Sequence, residues 1–128
     1  MTTTAILMDT PIVWTEIRVS NLESATAFYG AVLQNGMAIT TEMGPQPMAV
    51  FAGPKGAVAG HLVQGKPASD GSGPLIHFNV HDSLDAARAR VKSAGGSAED
   101  FNIDIPDGAF FYATDPDGNA FGLFKGNS

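Results

Sequence analysis

The sequence predicts an α+β fold, two tandem βαβββ modules forming a curved mixed sheet around a central cleft. Three observations predict it. Hydrophobic residues make up 44% of the chain and charged residues 16%, the balance of a packed globular protein rather than a disordered one. A stretch rich in Gly, Pro and Ser, residues 64–74, divides the 128 residues almost equally. A shift of 61 residues then lays the second half on the first, as two copies of one supersecondary unit would require.

Under that shift, residues 13–19 fall on 74–80. Both segments are apolar and β-branched enough to be strands, and each runs directly into a helix start. Ser20-Asn21-Leu22-Glu23 has the capping-box pattern, and Asp82 stands where the second helix needs an N-cap. Leu22, Ala25, Tyr29 and Val32 recur at helical spacing, as do Leu84, Ala87, Val91 and Ala94 before the stop at Gly95-Gly96. Three further strands are expected in each half: near 37–42, 47–52 and 57–64, and near 97–101, 108–114 and 119–125. Turn signals separate them, among them Gly53-Pro54-Lys55-Gly56, Ile105-Pro106-Asp107-Gly108 and Asp115-Pro116-Asp117-Gly118. The whole chain, 1–128, reads as one domain, with module one over about 11–64 and module two over about 74–125. The first ten residues carry no clear period and are expected to form a mobile or edge-pairing arm. A helix covers one face of its module's sheet, which leaves the opposite face for a second module or a ligand.

The formal net charge is −6, which argues against a phosphate-backbone footprint and so against nucleic-acid binding. With no cysteine, disulfides, thiolate metal sites and cysteine nucleophiles are excluded. No apolar run reaches the roughly 20 residues that span a bilayer. Met1-Thr2-Thr3-Thr4 lacks a basic leader region, so a cytoplasmic protein is expected.

Two motifs carry a family resemblance. Trp14-x-Glu16-Ile17-x-Val19-x-Asn21-Leu22-Glu23-x-Ala25-x-x-Phe28-Tyr29 resembles the opening of vicinal oxygen chelate proteins. Asp115-Pro116-Asp117-Gly118-Asn119-x-Phe121-Gly122-Leu123 resembles their closing hairpin. That superfamily comprises glyoxalases, extradiol dioxygenases and bleomycin-resistance proteins. The helix over 82–96 is similar to that of glyoxalase-related members of undefined substrate. The resemblance implies a small-molecule ligand and a symmetric homodimer. It also implies four inward positions that hold a divalent ion in metal-dependent members; here they are Trp14, His61, Leu75 and Gly122. Three of the four are not ligands, so neither a metal cofactor nor glyoxalase I activity is expected.

Strand alternation adds candidates to that set. Glu16 and Arg18 share a face with Trp14, and His77 shares one with Leu75. Trp14, Arg18 and His61 are therefore the candidate ligand-binding residues. Trp14 would supply a planar wall; Arg18 stands where the resemblance to glutathione-dependent glyoxalases implies an arginine for the substrate's carboxylate, a task the guanidinium fork suits. Glu16 and His77, equivalent under the repeat, form the candidate acid–base pair. The alternative reading is a metal-dependent lyase, isomerase or dioxygenase that holds a divalent ion with Glu16, His61 and His77, the composition of a two-histidine, one-carboxylate triad.

Overall fold

The computed structural model describes residues 11–127, and the expected N-terminal arm lies outside them. Module one runs β1 (Trp14–Val19), α1 (Leu22–Leu33), β2 (Ala38–Thr40), β3 (Met48–Val50) and β4 (Ala59–Gln64). Module two runs β5 (Ile76–Asn79), α2 (Leu84–Ser93), β6 (Ser97–Ala98), β7 (Ile103–Ile105), β8 (Gly108–Thr114) and β9 (Ala120–Gly126). The strand order is β1-β4-β3-β2 in the first sheet and β5-β9-β8-β6 in the second, with β7 also on β8. Both sheets are mixed: β1–β4 and β5–β9 are parallel, and the other pairs are antiparallel. The α+β class and the two βαβββ modules are as the sequence predicts.

The repeat holds with one correction. In module one Ala49 pairs with Leu62, whereas in module two Phe111 pairs with Leu123. The last strands keep the shift of 61, but the third strands are offset by one more. Phe111, not Phe110, is thus the counterpart of Ala49, and both are fully buried. Module two also departs from the expected single strand over 97–101. β6 ends at Ala98, and β7 begins a second short pairing on β8. Arg88 holds the intervening bend: it donates to the Glu99 carbonyl at 2.7 Å and to Asn102, while its guanidinium lies 4.3 Å from the Phe111 ring centroid.

Helix caps differ by one residue from the sequence reading. Asn21, not Ser20, caps α1 by accepting from the Ser24 amide at 3.0 Å, and Ser83, not Asp82, caps α2 through Ala86. Both displaced residues take other partners. The Ser20 amide and hydroxyl donate to Asp117, and Asp82 receives both Arg90 terminal nitrogens. The stop after α2 falls as expected, with Gly95 at φ +99.

The helices lie against one core fed by both modules. α1 buries Leu22, Ala25, Phe28, Tyr29 and Val32 against Ile17, Val19 and Leu62, and α2 buries Leu84, Ala87 and Val91 against Phe111 and Leu123. Tyr29 joins the halves, with ring centroids 6.2 Å from Phe51 of module one and 5.7 Å from Phe121 of module two. Its hydroxyl donates to buried Asp115 at 2.7 Å. Asp115 also accepts from the Asp117 and Asn119 amides, which closes the Asp-Pro-Asp-Gly-Asn turn. Asn119 then donates to the Arg18 carbonyl at 3.1 Å. The closing hairpin of module two thereby pins the end of β1, the strand that carries the candidate site.

Candidate ligand site on the open face of the first sheet

β1 alternates as the sequence predicts. Ile17 and Val19 enter the core, while Trp14, Glu16 and Arg18 are exposed on the opposite face. Parallel register sets Glu16 beside His61 on β4. His61 is 7% exposed and sits between two partners. The Trp14 indole Nε1–H donates to His61 Nδ1 at 2.7 Å, and His61 Nε2 lies 3.1 Å from Glu16 Oε1. An indole N–H is a donor only, so Nδ1 must accept and the imidazole proton must reside on Nε2, which donates to the carboxylate. Arg18 follows at 3.6 Å from the second Glu16 oxygen, a loose ion pair between half-exposed side chains. The result is a chain of four side chains whose exposed end is a guanidinium with donors to spare.

This donor set does not fit a divalent ion. Of the four positions the family resemblance marks, Trp14, Leu75 and Gly122 offer no lone pair to a cation. His61 has one nitrogen taken by the indole and the other carrying its proton. Among the described residues no three His, Asp or Glu side chains converge as metal ligands. The alternative triad is therefore corrected: Glu16 and His61 meet, and His77 does not join them. The physical reason is register. His77 pairs with Gly122, which has no side chain, and the imidazole occupies the space over it; a Cβ on Gly122 would lie 2.3 Å from His77 Nδ1. The ring packs instead on Phe110 and Tyr112, with centroids at 5.0 and 6.0 Å. Among the described residues no hydrogen bond or ion pair links Glu16 to His77.

Trp14, Glu16, Arg18 and Leu75 border one cavity of about 640 Å³, within the range of small-molecule sites. His61, bonded to Trp14 and Glu16, is not among the residues that border it. His77 borders a separate cavity of about 410 Å³ with Thr15, Phe51 and Phe78. Phe110 and Tyr112 were not among the sequence candidates. Three consecutive aromatics, Phe110-Phe111-Tyr112, give no alternation signal, and only the pairing of Phe111 with Leu123 decides which face each takes.

A tandem pair of βαβββ modules, each with its helix on one face of a mixed sheet, defines the fold class. The chain belongs to the Glyoxalase/Bleomycin resistance protein/Dioxygenase superfamily, whose profile matches residues 11–123. No curated protein matches it. Similar solved structures include a glyoxalase/bleomycin resistance protein from Albidiferax ferrireducens T118, at 22% identity and TM-score 0.70, covering 91% of this chain and 98% of that one. The fosfomycin resistance protein FosX from Listeria monocytogenes is 17% identical with TM-score 0.68, covering 94% of each chain. TnmS3, an antibiotic binding protein from Streptomyces sp. CB03234, is 25% identical with TM-score 0.64, covering 95% of this chain and all of that one. At such identities the first two establish the fold alone. Among the described residues no helix is long and apolar enough to cross a membrane.

Proposed function

We propose that this protein binds a small organic molecule, preferentially an anion, in the cleft between its two modules, without the metal site of its superfamily. The observation that carries the reading is the Trp14–His61–Glu16–Arg18 chain. It consumes both imidazole nitrogens inside the protein and leaves Arg18 as the open donor at a cavity of about 640 Å³. A buried, fully committed histidine is suited to holding a wall in place, not to activating a bound ion. Binding without turnover is supported by the likeness to TnmS3, which is described as an antibiotic binding protein. The rival reading, a metal-dependent lyase, isomerase or dioxygenase, needs His77 beside Glu16 and His61. A homodimer belongs to the proposal: β1 and β5 each have only one paired edge among the described residues, and Ile12, Val13, Trp14 and Leu75 expose apolar surface nearby.

The test is a thermal-shift screen of small carboxylic acids, followed by calorimetry on wild type, Arg18→Ala and Arg18→Lys. Arg18→Ala is expected to keep its unliganded melting temperature and lose about 30-fold or more in affinity. Arg18→Lys should regain only part of it, since an ammonium lacks the bidentate fork. Equal affinity in wild type and Arg18→Ala would remove Arg18 from the site.

A further inference from the structure

Asn35-Gly36 is the only Asn-Gly step in the chain, and it falls where α1 hands over to β2. The junction is tight. Gln34, the C-cap of α1, is the one non-glycine among the described residues with positive φ, at φ 52 and ψ 45. A side chain in that left-handed region is strained unless neighbouring contacts hold it. Asn35 supplies such contacts. Its backbone amide donates to the Gly30 carbonyl at 3.0 Å, and its side chain reaches across to the end of β3. There Oδ1 accepts from the Ala52 amide at 2.7 Å, and Nδ2 donates to the Ala52 carbonyl at 3.0 Å. One carboxamide thus satisfies both backbone groups of Ala52, as a neighbouring strand would.

Gly36 brings the reactive half. It is exposed, and a Cβ built on it would meet nothing within 4 Å. The Met37 amide is bonded to the Asn35 carbonyl at 2.9 Å, whereas among the described residues the Gly36 amide nitrogen has no hydrogen bond. An unhindered, unbonded backbone nitrogen beside an asparagine is placed in sequence to attack that side chain's carbonyl carbon. Asn21, Asn79, Asn102, Asn119 and Asn127 are followed by Leu, Val, Ile, Ala and Ser, whose side chains hinder the same attack.

We propose that Asn35 is a self-modification site, at which the chain deamidates through Gly36 at a rate set by opening of the Asn35–Ala52 clamp. The Gly36 nitrogen bonds to Asn35 Cγ and gives up its proton, the Cγ–Nδ2 bond breaks, and ammonia leaves. Water then opens the five-membered imide on either side, to aspartate or to isoaspartate. While both hydrogen bonds to Ala52 are made, the carboxamide cannot turn freely toward Gly36, so the reaction waits for local opening. The product does not re-form the clamp. A carboxylate accepts but cannot donate, so the Ala52 carbonyl loses its donor and faces a negative charge. Asn35, Phe51, Ala52 and Gly53 border the cavity of about 410 Å³, so the modification also adds charge to that wall. It acts as a one-way release of α1 from the end of β3.

The experiment holds the folded protein in mildly alkaline buffer at physiological temperature. Peptide mapping and enzymatic methylation of isoaspartate then follow each asparagine. Wild type is expected to accumulate aspartate and isoaspartate at position 35 and at none of the other five. Gly36→Ala fits the open space and keeps the clamp, and it should suppress the modification without lowering the melting temperature. Unfolding in urea should raise the wild-type rate about tenfold or more, the effect of releasing two hydrogen bonds. Asn35→Asp, which makes the product directly, should melt below wild type. An unmodified position 35 in the folded protein, or modification that Gly36→Ala leaves unchanged, overturns the site. Equal rates in folded and unfolded chains, or an Asn35→Asp variant that melts like wild type, overturns control by the clamp.

Discussion

Trp14 and His61 show how neighbouring side chains can take up both nitrogens of a buried imidazole. The indole fills one imidazole lone pair at 2.7 Å, and Glu16 takes the proton on the other nitrogen. Wild-type protein is accordingly expected to retain no stoichiometric zinc, nickel or iron after mild purification, as measured by elemental analysis. One firmly held equivalent that is lost in His61→Ala would contradict the assignment. His61→Ala should also cost about 1–3 kcal/mol in urea denaturation, because the imidazole is 7% exposed and both its partners lose a hydrogen bond. Trp14 is the only tryptophan, so its fluorescence reports the same change directly. Part of this site was legible in the residues: alternation placed Trp14, Glu16 and Arg18 on one face, whereas His61 came forward only through the family resemblance. The indole–imidazole bond was not legible, because it depends on two side chains 47 residues apart meeting across a parallel pair.

The elements were legible where local chemistry decides them and less so where pairing decides them. Helix spans, the Gly95 stop and the Asp115 turn follow from spacing and backbone preference. The extra offset at Phe111 and the split into β6 and β7 follow from register and from the Arg88 clamp, which no local pattern encodes. The Asp115 turn is also where the modules are fastened. Burial, then the charge and hydrogen bond of Asp115, push the Tyr29 phenol far above its ordinary range near 10. A raised folded value means that this stabilisation is complete below about pH 10 and is lost as pH climbs from there toward the folded value. Tyr29→Phe is expected to cost about 1–2 kcal/mol at neutral pH and to flatten the alkaline limb of the stability profile. An unchanged alkaline limb would detach Tyr29 from that role. Gly118 in the same turn has φ +91, and a Cβ there would lie 2.3 Å from the Ser69 carbonyl oxygen. Gly118→Ala should therefore destabilise by more than about 1 kcal/mol. At the acid end, Arg90 holds the Asp82 carboxyl below its usual range, and Lys92 does the same for Asp100. Their contribution is present above about pH 4 and fades as pH falls through the lowered values; both are exposed, so the effect is small.

At the scale of the whole molecule, two sheets share one core and each turns its other face outward. Those faces differ, one ending in Arg18 and the other carrying His77, Phe110 and Tyr112. Light scattering is expected to give the mass of a dimer at micromolar concentration, and a monomer across a wide range would count against the paired edges. Whether an organic anion is held at Arg18 without a metal is decided by calorimetric titration of a small aromatic acid, 2-naphthoate, with and without excess EDTA. One affinity in both buffers is expected, with a loss of about 30-fold or more in Arg18→Ala under each. Binding that EDTA abolishes and added zinc restores would contradict it.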